Sequence, residues 1–346
     1  MKHPLVSICM PNLNGIRYLP ERLESIIHQT LTDWELVVVD GYSDDGGWEF
    51  LVELAEREKR VRLSQASRGG IYEALNRCVR LARGKYVYIA PSDDVMALDC
   101  LDRLAVALEA EATCGLAHCP LRAIGEGAVS LNKWWTRSSV FAISSRGLLN
   151  TTHIRRPPFD GLLHLNGETV YTSLTQLLIR RSLFELVGPF DERWGSIGDF
   201  NWAMRATLAT STVHVPDTWG GWRLHSEQST RAVGVGSYEH RRMVEEMTND
   251  AIERSWANIP KPIRQGLREW RRYFVSRQYL QHELQLRLGR SAKVAYLARE
   301  LALGSEAARS YILMRASGKK NWTRSAAEVV EAWLRSVDDT EYLIPA

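Results

Sequence analysis

The sequence predicts an α/β protein on a mostly parallel sheet with flanking helices and a helical C-terminal extension. Three observations carry this reading. Short apolar runs at residues 5–10, 36–39 and 86–89 stop abruptly near Pro11, Asp40 and Pro91, as strands buried on both faces do. Helical spacings of three and four lie between them. Strand and helix alternate four times in about ninety residues, which favours right-handed parallel crossovers.

Residues 5–10 form the first strand, and the loop residues Pro11, Asn12, Leu13, Asn14 and Gly15 break it. Pro20 suits a first helical turn, and Leu19, Leu23, Ile26 and Ile27 share its apolar face. Residues 36–39 are the second strand, ending in Asp40 and a turn-rich loop at 41–47. Residues 48–58 read as helix and 60–63 as a brief strand. Gly69 and Gly70 precede a clear helix in which Ile71, Ala74, Leu75, Cys78, Val79 and Ala82 keep helical spacing, with Gly84 placed to stop it.

The fourth strand delivers Ser92, Asp93 and Asp94 to the carboxyl end of the sheet, where open α/β sheets bind ligands. Two adjacent carboxylates there either cap the next helix from a solvated turn or hold a hard divalent cation with a substrate phosphate. After a helix at 98–111 the pattern weakens. Residues 125–167 carry Trp134, Trp135, Arg155, Arg156, Pro157, Pro158 and two histidines. They read as a long irregular, substrate-facing segment. Residues 174–179 are strand-like. Residues 194–208 are mostly helical, with Asp199 in the first turn, and 213–224 are aromatic strand material ending at His225. From about Tyr238 the chain reads as helix to its end.

Hydrophobic residues make up 45% and charged residues 25% of the 346, enough for a sizeable core. No run approaches the roughly 18 apolar residues of a membrane span. The first fourteen residues lack the apolar stretch of a secretory signal, so a cytoplasmic location is expected. Cys9, Cys78, Cys100, Cys114 and Cys119 show no Cys-x-x-Cys spacing and read as reduced thiols. Residues 254–324 hold 16 Lys and Arg against 4 Glu, a local charge of +12 within a net charge of +3. In this stretch Ile263, Leu267, Trp270, Tyr273 and Phe274 share approximate helical spacing among arginines. The helix either lies on an anionic inner membrane face or packs on the core with a solvated basic side. No nucleic-acid-binding motif accompanies the basic stretch.

From Val6 to about Ser229 the chain resembles the GT-A glycosyltransferases of family 2. The likeness rests on six motifs in order: Pro11, Asn12, Leu13, Asn14; Asp40 closing the second strand; Gly70, Ile71, Tyr72, Glu73, Ala74, Leu75, Asn76; Ser92, Asp93, Asp94; residues 180–191; and Asp199. The resemblance implies a GT-A fold at 1–235, with a nucleotide-binding half at 1–97 and an acceptor and catalytic half at 98–235. Residues 236–346 form a basic helical region beyond it. It implies inverting transfer from a nucleoside diphosphate sugar, UDP first, to a glycan or lipid-linked saccharide in polysaccharide assembly, with Mn²⁺ or Mg²⁺ as cofactor.

Residue by residue, the resemblance assigns Pro11, Asn12, Asn14, Asp40, Arg68, Asn76, Ser92 and Asp93 to the donor nucleotide. It assigns Asp94, Asp93 and His225 to the metal, and Asp199 to the general base. Each has a plainer reading: a turn cap for Asp40, a helix-terminal charge for Asp199, a structural imidazole for His225, a solvated loop charge for Arg68. The chain also departs from the family pattern. Pro91 and Gly41 stand where acids are frequent, Arg68 replaces an acidic residue, and Gly198 replaces a Glu. A nucleotidylyltransferase would need a basic Gly-rich loop after the first strand, and a Rossmann dehydrogenase G-x-G-x-x-G. Residues 11–17 supply neither. A catalytically inactive nucleotide-sugar-binding scaffold remains the alternative.

Overall fold

The computed structural model describes residues 3–226, 238–285, 289–302, 304–316, 325–337 and 340–346. The first half alternates as the apolar pattern requires: β1 (Val6–Asn12), α1 (Leu19–Ile27), β2 (Trp34–Asp40), α2 (Gly47–Arg57), β3 (Val61–Gln65), α3 (Ile71–Leu81) and β4 (Tyr86–Ile89). Successive side chains of these strands enter opposite cores. Cys9, Val37, Val87 and Ile89 face one; Ile8, Met10, Val38, Tyr86 and Tyr88 face the other. That is why the runs are continuously apolar rather than alternating.

Two local expectations are corrected. Pro11 does not end β1: it pairs with Val39, and Asn12 with Asp40. Cys9 turns its carbonyl to Ala90 and Asn12 its own to Gly41. Pro11, between them in the alternation, therefore faces the β4 side beyond that strand's end, where a missing N–H costs no ladder bond. Gly84 does not stop α3, which ends at Leu81 with Ala82 already extended. Instead the chain passes so near β1 that a Cβ on Gly84 would lie 2.6 Å from the Ser7 backbone nitrogen.

The chain continues through β5 (Val95–Met96), α4 (Cys100–Ala110), β6 (Cys114–His118), β7 (Leu121–Gly125), α5 (Ala128–Ser138), α6 (Val140–Ser144), β8 (His153–Arg155), α7 (Phe159–Leu165), β9 (Leu177–Arg180), α8 (Arg181–Val187), α9 (Gly198–Ala209), β10 (Ser211–His214) and β11 (Gly220–Leu224). Residues 125–167 are thus largely helical, not a loop. Phe141, Phe159, Arg155 and His164 are buried there. The helices α6 and α7 are too short to display a periodicity, and Arg155 sits on the three-residue β8.

The C-terminal part comprises α10 (Tyr238–Ser255), α11 (Lys261–Gln285), α12 (Arg290–Ala302), α13 (Glu306–Ala316), α14 (Ala326–Val337) and β12 (Leu343–Pro345). The main sheet has the order β12-β8-β10-β6-β9-β4-β1-β2-β3. It is parallel from β4 to β3 and mixed beyond, because β9 runs antiparallel to both β4 and β6. A second sheet, β5-β11-β7, stands beside it.

The expectation of helix to the end fails at β12, which pairs antiparallel with β8. The expected boundary at 235 lies outside the described residues. On α11, Ile263, Leu267 and Trp270 are buried in the same core as Val87 and Phe159, and Trp270 stacks on Trp333 at 4.9 Å. The side chains of Tyr273 and Phe274 lie outside the described residues. All five cysteines are free and buried. Among the described residues no helix is long and apolar enough to cross a membrane.

Candidate active site

A cleft of about 740 Å³ opens at the carboxyl ends of β1, β2 and β4. Pro11, Asn12, Asn14, Arg68, Ser92, Asp93 and His225 line it, as do Tyr18, Tyr72, Glu73, Glu192 and Ser196. Asp40, Asn76, Asp94 and Asp199 are not on its surface.

Asp40 is fully buried. Its carboxylate accepts from Asn12 Nδ2 at 2.8 Å, from the Ser43 backbone N–H at 2.9 Å and from Ser43 Oγ at 2.6 Å. A carboxylate only accepts, so the Asn12 amide must turn its nitrogen inward. Its Oδ1 is left buried without a donor. Asn14, at φ 53°, ties this loop to the next: its N–H donates to Ser43 Oγ and its Oδ1 accepts from the Asp44 N–H. Arg68 donates to the carbonyls of Gly41 (3.1 Å) and Tyr42 (2.8 Å), clamping that loop at the mouth. Asn76 Nδ2 donates to the Phe190 carbonyl and to Glu192 Oε1, and its Oδ1 accepts from the Phe190 N–H. Asn76 therefore fastens α3 to the turn before α9 and holds Glu192 at the cleft.

The small sheet places His225 directly after β11 and beside the acidic loop. His225 Nε2 lies 2.9 Å from Asp93 Oδ2, and the Tyr18 ring packs on the imidazole at 5.0 Å. Arg223 donates its Nε to the Asp93 carbonyl and its backbone N–H to Asp94 Oδ1 at 3.0 Å. Asp94 is thus turned inward. Its burial, together with the Asp93 charge, pushes its carboxyl well above the usual range. The three expected metal ligands therefore do not converge, and among the described residues no three His, Cys, Asp or Glu form a group that could hold a metal alone. What is present still fits a cation held by Asp93 and His225. Mg²⁺ is commonly bound by one or two carboxylates, with substrate phosphates and water completing the shell. His225 Nδ1 is buried with no partner on the protein.

Across the α3 edge of the cleft stands Tyr72, in the first turn of α3. Its hydroxyl donates to the Ser196 carbonyl at 3.2 Å, three residues before Asp199. Asp199 sits half-buried in the first turn of α9, and its Oδ1 accepts from the Phe200 N–H at 2.9 Å. Burial raises its pKa above the ordinary carboxylate value, and the Tyr72 hydroxyl and backbone N–H groups pull against that rise. Gly198 has a physical reason: a Cβ there would lie 2.9 Å from Tyr72 Cδ2. Tyr18, Glu192 and Ser196 went unnoticed in the sequence. Tyr18 has no distinctive spacing, and the other two reach the cleft only through the fold of the 192–197 turn.

A family model described as Glycosyl transferase family 2 matches residues 7–188, more than half of the chain. The uncharacterized glycosyltransferase EpsJ of Bacillus subtilis is 33% identical over 101 residues, 29% of each chain. Chondroitin synthase of Escherichia coli is 39% identical over 103 residues, 29% of this chain and 15% of its own. The chain thus spans under a third of either relative. The PGL/p-HBAD biosynthesis glycosyltransferase of Mycobacterium tuberculosis is 28% identical over 226 residues, 62% of this chain and 76% of its own. Two solved structures share the fold. S. aureus TarS 1–349 in complex with UDP-GlcNAc has a TM-score of 0.55 at 16% identity, covering 96% and 92% of the two chains. Mannosyltransferase PcManGT from Pyrobaculum calidifontis in complex with GDP-Man and Mn²⁺ has 0.53 at 20%, covering 99% and 89%.

Proposed function

Because this chain belongs to glycosyl transferase family 2, we propose that it moves one sugar from a UDP-sugar to a hydroxyl of a glycan or lipid-linked acceptor, with inversion. The observation that carries the reading is the cleft itself. It gathers the β1 loop, Ser92, Asp93 and His225 with Tyr72 at the ends of the parallel strands, and the Tyr72 hydroxyl bonds the Ser196 carbonyl in the turn that leads into Asp199. The relatives solved with UDP-GlcNAc and with GDP-Man support a nucleotide-sugar donor.

Asp93 and His225 would hold the divalent cation, which supplies positive charge for the leaving diphosphate. Pro11, Asn12, Asn14 and Ser92 bind the nucleotide. Asp40 acts from below by fixing the Asn12 amide and the 41–44 loop, which Arg68 also clamps. Asp199 takes the acceptor hydroxyl proton as that oxygen bonds the anomeric carbon. The bond from that carbon to the diphosphate breaks on the opposite side, and its electron pair leaves with the diphosphate. In-line displacement inverts the centre. A carboxylate raised by burial is a better base than an ordinary one. On this reading residues 1–97 hold the donor and 98–235 supply Asp199 and His225. Ile263, Leu267 and Trp270 of α11 complete the core, and the basic stretch 254–324 meets the anionic inner membrane face through its charge.

One observation favours a second reading, a nucleotide-sugar-binding protein without turnover: Asp94 is turned to the Arg223 N–H rather than towards Asp93 and His225. Calorimetry with UDP, with and without Mn²⁺, and UDP release from a panel of UDP-sugars test both. Mn²⁺-enhanced binding with release is expected. Binding without release from any donor favours the second reading, and no binding of any nucleotide overturns both.

A further inference from the structure

We infer that Glu192 is a specificity-determining residue for the donor: its carboxylate accepts hydrogen bonds from hydroxyls of the transferred sugar. The inference rests on the reading of the cleft as a UDP-sugar site with Asp199 as the base.

In-line displacement puts the sugar between the diphosphate it leaves and the acceptor oxygen that the base deprotonates. Asp93 and His225 mark the first position and Asp199 the second. The 192–197 turn runs directly into Asp199, and its residues Glu192, Gly195 and Ser196 line the cleft. A sugar between the two positions therefore lies along this turn.

The turn is fastened at several points. Asn76 binds both the N–H and the carbonyl of Phe190, which fixes the orientation of its amide, and it donates to Glu192 Oε1 at 3.0 Å. The Tyr72 hydroxyl holds the Ser196 carbonyl. Arg193 pairs with Asp250 of α10, and Asp191 with Arg254. Gly195 stands at φ 55° and ψ −135°, a conformation that a side chain disfavours. A Cβ built there would meet nothing within 4 Å, so the turn leaves open space beside Glu192.

The other acids of the cleft are engaged. Asp93 lies against His225, and Glu73 folds back over Gly69, where a Cβ would run into its carboxylate. Arg193, the neighbour of Glu192, is turned to Asp191 and Asp250, and among the described residues no cation pairs with Glu192. Asn76 occupies Oε1 and leaves Oε2 for a ligand. An ionised carboxylate only accepts, so that ligand must donate, as sugar hydroxyls do. A diphosphate has no proton to give and carries a like charge. Glu192 therefore reads the sugar and not the nucleotide.

The test is calorimetry of the full-length wild type and Glu192→Gln with Mn²⁺. The ligands are UDP and whichever of UDP-glucose, UDP-galactose and UDP-GlcNAc the wild type binds most tightly. Gln keeps an oxygen for Asn76, and with it the turn, but puts a neutral donor where a charged acceptor stood. Hydrogen bonds to charged groups exceed neutral ones by enough to change affinity about tenfold. UDP should bind Glu192→Gln at least as tightly as wild type, because a negative charge has left the cleft. The UDP-sugar should bind about tenfold more weakly, and KM for its hydrolysis should rise with kcat little changed. Unchanged UDP-sugar affinity, or an equal loss for UDP and UDP-sugar, would mean that Glu192 only shapes the turn, and would overturn the inference alone. A wild type that binds no UDP would overturn the reading of the cleft and this inference with it.

Discussion

Tyr72 fixes the size of its neighbour. At an ordinary helix position Gly→Ala stabilises by up to about 1 kcal/mol. At Gly198 the new Cβ would lie 2.9–3.0 Å from the Tyr72 ring, and overpacking costs about 1–3 kcal/mol. Gly198→Ala should therefore destabilise in urea unfolding, and by less in a Tyr72→Ala background, where the Asp191 carbonyl 3.0 Å from the new Cβ remains. Asp94 gives a second check. Its folded pKa is raised, so the folded state binds more protons than the unfolded chain above the unfolded value near 4. Its contribution is best at low pH and is lost as pH rises through the folded pKa. Asp94→Asn removes that cost and still accepts from the Arg223 N–H. The metal-free variant should melt higher than wild type at pH 8 and by a smaller margin at pH 5. A lower melting point at both would show that the charge itself holds the loop.

At the scale of elements, α11 decides how the C-terminal region behaves. Trp270 is 4% exposed and stacked on Trp333, so Trp270→Ala should cost about 3–5 kcal/mol. Because Trp270 shares a core with Phe159 and Val87, calorimetry should show one shifted transition, not a separate early one. Vesicle binding, if found, should be lost at high salt, since three of the five apolar residues of that face are already inside the protein. The same core explains what the sequence could tell. β4 was legible because five apolar residues, Tyr86 to Ala90, stand between a Gly-Lys pair and Pro91. β9 was legible as a strand but not in direction, which no apolar run encodes. α6 and α7 are five and seven residues long, and β12 is three. Elements that short carry no readable period. The resemblance alone names Asp94, Asp93 and His225 for one metal site. The inward turn of Asp94 and the burial of Asp40 depend on hydrogen bonds from Arg223, Asn12 and Ser43, which only the folded chain brings together.

For the molecule as a whole, the buried histidines set the acid limit. His214 Nε2 donates to the Leu149 carbonyl, so its Nδ1 accepts from His118 Nδ1, and His118 Nε2 accepts from the Gln176 amide. Every ring in this chain is neutral. Burial pushes His118 well below its usual value, His214 to about 3 and His164 to about 4. The unfolded chain binds more protons than the folded one below about pH 6.5, so stability is full above that pH and is lost as pH falls, by about 1.4 kcal/mol per unit and group. The denaturation midpoint should drop steeply from pH 6.5 to 5, and less steeply in His164→Phe. A flat profile would contradict the burial.

The central claim is that a donor cleft and a separate base act together. General-base catalysis contributes about 10² to 10⁴ in rate. Asp199→Asn should therefore lose that factor in sugar transfer or UDP-sugar hydrolysis. It should bind UDP with Mn²⁺ as wild type does, because Asn12, Asp93 and His225 are untouched. Parallel calorimetry and turnover on this one variant give the result that decides: retained UDP affinity with turnover lost supports the account, and near-normal turnover with only a lowered melting temperature contradicts it.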